Sequence, residues 1–246
     1  MGAPLREHIR RFRYRYGPLP PVRVRARQAE RSLILSADDE SRPSPRLLAL
    51  ALEAVGAARD TDLAELSRRL DGPPYWPDIW PGEHYRLLAG LVRAHRPQTV
   101  VEIGTATGLS ALAMLDFLPA GGSLATFDIV PWREYPGSVL RDDDFADGRL
   151  VQHVADLTDP AVAAHHSELL EAADLIFVDA AKDGRQERVF LELFERTAFG
   201  RDPVVVFDDI RQWKMLEIWR GVARPKMDLT SFGHWSGTGL VDFAKD

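Results

Sequence analysis

Four aspartates and one lysine carry the chemistry this sequence could do. Asp179 ends the apolar run Leu175-Ile-Phe-Val178, and Lys182 follows three residues later in Val178-Asp-Ala-Ala-Lys-Asp-Gly184. Asp208 and Asp209 end a second run, Pro203-Val-Val-Val-Phe207. Buried parallel strands read as continuous apolar runs, and open α/β sheets bind ligands at the carboxyl ends of their strands. If the two strands are neighbours, about 4.8 Å apart, Asp179 and Asp208 emerge side by side. Carboxylates converging there repel one another unless a cation lies between them. Oxygen-only ligands favour Mg²⁺, Mn²⁺ or Ca²⁺ over zinc. Near such a cation the ammonium form of Lys182 is disfavoured, and its amine can act as a general base. A helix cap is an equally open role for Asp208 and Asp209, with a helix starting near Gln212. A solvated loop residue is the lesser alternative for Lys182.

The fourth aspartate, Asp128, belongs with a glycine turn. Thr99-Val-Val-Glu-Ile103 runs into Gly104-Thr-Ala-Thr-Gly108, and Leu109 to Phe117 continues with apolar residues at helical spacing. That is a strand, a tight turn and a helix N-terminus. Glycines there let a ligand approach the backbone, and the helix start offers unpaired N–H groups. The next strand, Ser123 to Asp128, ends in an acid about 20 residues past the turn, where it can accept hydrogen bonds from ribose hydroxyls. The turn is not the dinucleotide fingerprint: Ala106 and Leu109 stand at its third and sixth positions, where glycine is wanted. No lysine follows Gly108, so it is not a P-loop either.

These residues need a scaffold, and the chain supplies one. Strands are expected near 99–103, 124–128, 149–154, 174–179 and 203–208, with helices between them, which implies βαβ units and a mainly parallel sheet. Thr158-Asp-Pro160 marks a helix start, near which Asp156 lies. Upstream, 47–70 reads as one or two helices broken near Asp60, and Glu83 to His95 as another. The proline- and aromatic-rich segment 73–81 and the glycine-rich 233–239 read as walls of a pocket, with two strands in the tail 226–243. The tryptophans at 76, 80, 132, 213 and 235 read mostly as core or pocket lining, and Trp132 as a cover for an adenine. His165-His166 reads as a surface pair in mid-helix.

Composition narrows the classes. The 246 residues, 45% hydrophobic and 28% charged, suit one α/β domain, 41–246, with 41–97 as helices and wall and 98–246 as core. There is no cysteine, which excludes disulfides and thiolate chemistry and fits a reducing cytoplasm. No apolar run reaches membrane-spanning length. The net charge of −6 hides an asymmetry: residues 1–31 hold nine Arg and two Glu, so the remainder carries −13. The basic arm, 1–40, is expected to dock on its own acidic body or a second subunit. A nucleic-acid partner is disfavoured, since the body repels polyanions.

The pattern Glu102-x-Gly104-x-x-x-Gly108-x-Ser110 resembles motif I of class I S-adenosylmethionine (SAM) methyltransferases. With Asp179-x-x-Lys182 and the Asp208-Asp209 pair, the chain from about Trp80 onward resembles the metal-dependent small-molecule O-methyltransferases, the group of catechol and caffeoyl-CoA O-methyltransferases. The resemblance implies a Rossmann-like, doubly wound seven-stranded sheet with an antiparallel C-terminal strand. It implies that SAM is held by Glu102, Gly104, Thr105, Gly108, Ser110, Asp128, Asp156 and Asp179. It further implies a Mg²⁺-type cation on Asp179, Asp208 and Asp209, Lys182 as base, Asp179 in the catalytic set, a phenolic or natural-product hydroxyl as acceptor, and a homodimer. Asp209 stands where the family usually has Asn. Two alternatives stay open: a metal-independent methyltransferase of this fold, with His84 or His234 as base, acting on a sugar or other hydroxyl, and a NAD-dependent oxidoreductase.

Overall fold

The computed structural model describes residues 42–245. The arginine-rich stretch 1–40, and the docking role expected of it, lie outside these residues.

Seven strands form one sheet: β1 (Thr99–Ile103), β2 (Ser123–Asp128), β3 (Leu150–Val154), β4 (Leu175–Val178), β5 (Val204–Asp208), β6 (Lys226–Asp228) and β7 (Thr238–Asp242), in the order β3-β2-β1-β4-β5-β7-β6. Strands β1 to β5 are parallel, and β7 runs antiparallel to both β5 and β6. The strand order reverses between β1 and β4, so the cleft of a doubly wound sheet opens where the glycine turn and Asp179 emerge. Val178 pairs with Phe207 across β4 and β5, which sets Asp179 beside Asp208.

Alternate strand residues feed two apolar layers. Val100, Leu124, Leu175, Phe177, Val204, Val206 and Leu240 face one layer, where α1 (Pro45–Arg59), α3 (Tyr85–His95) and α4 (Leu109–Leu115) pack. Val101, Phe127, Ile176, Val178, Val205 and Val241 face the other, built by α6 (Ser167–Glu171), α7 (Gln186–Arg196) and α8 (Met215–Gly221). Strands buried on both faces keep no polar alternation, which is why they read as apolar runs.

The helices follow their capping signals. Ser44 caps α1 by accepting from the Leu47 N–H, with Pro45 at its first position. The expected break near Asp60 separates α1 from α2 (Ala64–Ser67). α1 and α3 cross so tightly that a Cβ on Gly90 would sit against the backbone of Ala54 and Ala58. Asp159 caps α5 (Pro160–His165) through the Ala161 N–H.

Three expectations need correction. The helix after Asp208-Asp209 begins at Met215 rather than near Gln212, and its cap residue, Lys214, makes no side-chain capping bond. The two acids are therefore not its cap. His165 and His166 stand at the break between α5 and α6, and the His166 ring packs edge-on against Phe127. The tryptophans are not mostly core: Trp76, Trp213 and Trp235 are 41%, 75% and 71% exposed, and the fully buried one is Trp219. An indole N–H needs a partner or water, so burial of this ring type is not the default.

Candidate active site

The glycine turn is shaped by the protein itself. Gly104, at φ 102°, lies so close to the end of β4 that a Cβ would collide with the Asp179 carbonyl oxygen. Gly108, at φ 84°, would drive a Cβ into the Leu140 side chain. Both glycines thus draw the turn onto the neighbouring strand end and loop.

Beneath the turn runs a buried polar network. Glu102 is fully buried and accepts from the Ser110 hydroxyl at 2.5 Å and the Thr126 hydroxyl at 2.6 Å. Thr126 and Thr105 share a hydrogen bond of 2.7 Å, and Gln152 Nε2 donates to Thr105 at 3.2 Å. Burial pushes the Glu102 carboxyl up to about 8, against the two hydroxyl donors. Glu102, Thr105 and Ser110 therefore brace the turn from below. Asp128 stands at the end of β2, half-buried, accepting from the Ala106 and Val130 amides at 3.0 Å each. An ionised carboxylate has about four lone-pair sites, so both oxygens keep capacity for a ribose. Asp156 is exposed and closes a local turn with the Thr158 N–H and hydroxyl. Trp132 stacks on Phe145 and carries Arg133 over its face.

The second half of the site is charged. Lys182 is 5% exposed, which removes the solvated-loop reading. Its Nζ donates to Asp179 and lies 3.4 Å from Asp209 Oδ2 and 4.0 Å from Asp208 Oδ2. Burial opposes its charge, yet the three carboxylates outweigh it and raise its pKa. Lys182 adopts φ 60° and Asp209 φ 59°, left-handed conformations rare for residues other than glycine. Such strain costs on the order of 1–3 kcal/mol and clusters at functional sites. Glu187, buried in the first turn of α7, accepts from the Lys182 and Gly184 amides at 2.7 and 3.0 Å and holds this loop.

Two histidines close over the acids. The backbones of Gly82 and His234 form an isolated bridge, Gly82 N–H donating to the Gly233 carbonyl and Trp235 N–H to the Gly82 carbonyl. That bridge carries Glu83 and His84, just before α3, against the turn between β6 and β7. His234 Nδ1 lies 3.2 Å from Asp208 Oδ2 and 3.3 Å from Asp209 Oδ1, and Nε2 lies 3.6 Å from Glu83. Burial works against its charge, but bonds to Asp208 and Asp209 raise its pKa to about 10. Burial alone would raise the Asp208 carboxyl; His84, His234 and Lys182 outweigh it and hold it far below the usual range. Ser236 donates to Asp209 and contacts His234 Nδ1 at 2.9 Å. The acids thus collect Lys182, His84 and His234. Among the described residues, the potential ligand atoms of His84, Asp179 and Asp208 lie within 4.8 Å of one another, as do those of Asp208, Asp209 and His234. Spacing along the chain singled out the acids and the lysine. The two histidines entered only as alternative bases for a metal-free site, and Glu83, Glu187 and Ser236 were missed. A glutamate in a first helical turn after a glycine loop is the signal for Glu187.

Aromatics flank the Gly82–His234 bridge: Trp80 is half-buried, and Phe232 and Trp235 are exposed. Trp80 Nε1 donates to the Phe232 carbonyl at 2.8 Å, joining segment 75–81 to the turn at 232–235, beside Trp235.

Residues 101–210 match a family model described as a methyltransferase domain. No curated protein matches the chain. Solved structures match its fold. An SAH-bound methyltransferase from Podospora anserina, PaMTH1, is 16% identical, with 93% of this chain and 99% of that one covered at a TM-score of 0.51. An O-methyltransferase from Bacillus cereus in complex with SAH is 16% identical over 89% and 96%, at 0.50. A methyltransferase from Geobacter sulfurreducens is 17% identical over 93% and 98%, at 0.50. At these identities the likeness is one of fold. The domain match, the 3-2-1-4-5-7-6 sheet and the glycine turn at the end of β1 converge on residues 101–210 as the part of the chain that resembles a methyltransferase domain.

Proposed function

We propose that this enzyme transfers the methyl group of SAM to a hydroxyl of a small molecule, with a divalent cation held by Asp179, Asp208 and Asp209 and Lys182 as base. The observation that carries the reading is the adjacency of two halves: Gly104 abuts the carbonyl of Asp179, so a donor on the glycine turn and an acceptor at the acids meet across one strand gap. The fit to a cation rests on donor chemistry. Three carboxylates within reach of one ammonium are the oxygen ligands of a hard divalent ion. When bound, such an ion supplies Lewis-acid acidification of the acceptor hydroxyl.

The residues then have distinct tasks. Asp128 holds the ribose of the donor, and the turn above Glu102 positions its methionine end. In the carboxylate cluster without a metal, Lys182 is favoured as an ammonium; neutralising those carboxylates removes the charge that keeps it protonated. Lys182 Nζ then takes the acceptor's proton. The freed oxygen attacks the methyl in line, its O–C bond forming as the C–S bond breaks and S-adenosylhomocysteine leaves. Positioning supplies most of the rate. The aromatic rim of Trp80, Phe232 and Trp235 favours a flat acceptor, phenolic or sugar-like, that can stack.

Calorimetric titration of Mg²⁺ or Mn²⁺ into the SAM-loaded protein, with Asp208→Ala as control, tests the reading. Binding abolished by the substitution is expected, together with methylation of catechols or vicinal diols that EDTA suppresses. Methyl transfer unchanged by EDTA, Lys182→Ala and Asp208→Ala would overturn it. One observation favours a metal-free variant: His234 already partners Asp208 and Asp209. Undiminished activity in EDTA with loss in His234→Ala is its signature.

A further inference from the structure

The least explained side chain in the molecule is His84. It is 3% exposed, and neither ring nitrogen has a hydrogen-bond partner among the described residues. Buried polar atoms are almost always paired, and an unpaired one costs about 1–3 kcal/mol. Nδ1 lies 3.4 Å from Asp208 Oδ1, an electrostatic contact without hydrogen-bond alignment. The ring is fixed by packing on Tyr85 and Phe177, with centroids 4.5 and 5.3 Å away, and by the edge of His234 at 5.3 Å. Phe177 lies in β4, two residues before Asp179. The imidazole is thus clamped at the strand ends with both ring nitrogens unpaired and two carboxylates within 4.8 Å.

His234 does not present the same opportunity. Its Nδ1 is occupied by Asp208, Asp209 and Ser236, and its Nε2 faces Glu83. One histidine is committed to the acids, and the other is held against them uncommitted.

We infer that His84 is itself a ligand of the divalent cation, completing with Asp179 and Asp208 a mixed nitrogen–oxygen site. This rests on the metal-dependent reading above and goes beyond its all-carboxylate ligand set. A nitrogen donor shifts preference from Mg²⁺ towards Mn²⁺, Co²⁺ or Zn²⁺, since imidazole suits the later metals and oxygen the hard ones. It also explains why an imidazole is buried without partners: the missing partner is the ion.

The test is pulsed electron paramagnetic resonance on the full-length protein loaded with Mn²⁺ alone. A ¹⁴N coupling from a directly bound imidazole is expected, changing to a ¹⁵N coupling when the protein is labelled with ¹⁵N-histidine. It should persist in His234→Gln and vanish in His84→Gln, where Mn²⁺ affinity also falls. The labelled wild type makes the answer independent of how well the His84 variant folds. Bound Mn²⁺ without nitrogen coupling, or with coupling lost only in His234→Gln, overturns the role of His84 and leaves the metal site standing. No Mn²⁺ binding by the wild type, with or without SAM, overturns both.

Discussion

The two halves of the site sit on neighbouring strands of one sheet and are built in opposite ways. Under the glycine turn, Glu102 is surrounded by hydroxyls and an amide: Ser110, Thr126, Thr105 and Gln152. Among the described residues no cation touches its carboxylate, and burial pushes it up to about 8, so it is largely neutral at pH 7. Across the gap, Asp179, Asp208 and Asp209 are matched with Lys182, His84 and His234, and Asp208 is held ionised. The neutral half fixes shape by hydrogen bonds and close packing. The charged half is a balance of ions, with Lys182 and Asp209 in left-handed conformations. A rigid neutral cradle suits a donor that binds the same way each turnover. A strained ionic cluster suits a place where charge must change during one.

That contrast breaks most sharply at Asp208, which faces Lys182, His84 and His234 at once. Asp208→Asn keeps its volume and removes its charge. Methyl transfer should fall by about 10²–10⁴-fold, the range for losing an acid–base partner or its electrostatic support. Lys182→Ala should cost a similar factor in kcat with less effect on SAM binding, which equilibrium titration with SAM can check. Equal loss of SAM affinity in both variants would erase the division between the halves.

The boundary between the halves is Gly104. Gly104→Ala forces a Cβ into the Asp179 carbonyl and strains a φ of 102°. Overpacking costs about 1–3 kcal/mol and the left-handed backbone about 1–2 more. A fall in unfolding free energy of roughly 2–5 kcal/mol, read from denaturant melts of the apo-protein, is expected. A near-neutral result would mean that the two strand ends are not in contact.

How far the sequence carries depends on the distance a contact spans. The strands were legible because double burial leaves no polar alternation, and the ends of β2, β4 and β5 because an acid closes each of those runs. Asp179, Lys182, Asp208 and Asp209 follow from that grammar. The glycines were legible as a turn, but their reason was not: the need for Gly104 comes from Asp179, on another strand. His84 and His234 meet through a bridge between Gly82 and His234, segments some 150 residues apart, and no local period encodes such a pairing. The exposed tryptophans failed for the reverse reason, since residue type gives a tendency to burial but not its outcome at a cleft mouth.

The smallest and most diagnostic expectation concerns pH and the neutral half. The Glu102 carboxyl titrates near 8 when folded and in the usual carboxylate range, near 4.3, when unfolded. Between those values the folded protein holds a proton that the unfolded chain has released. This group's contribution to stability therefore falls as pH rises through that window, is flat above it, and is most favourable below it. Glu102→Gln abolishes the titration while keeping an oxygen to accept from Ser110 or Thr126. Melting temperatures of the wild type and this variant, measured without metal or SAM, should therefore diverge between pH 5 and 8, the variant gaining relative stability towards pH 8. A constant difference across the window would show that Glu102 is ionised throughout, and that the turn is braced by charge as the acid cluster is.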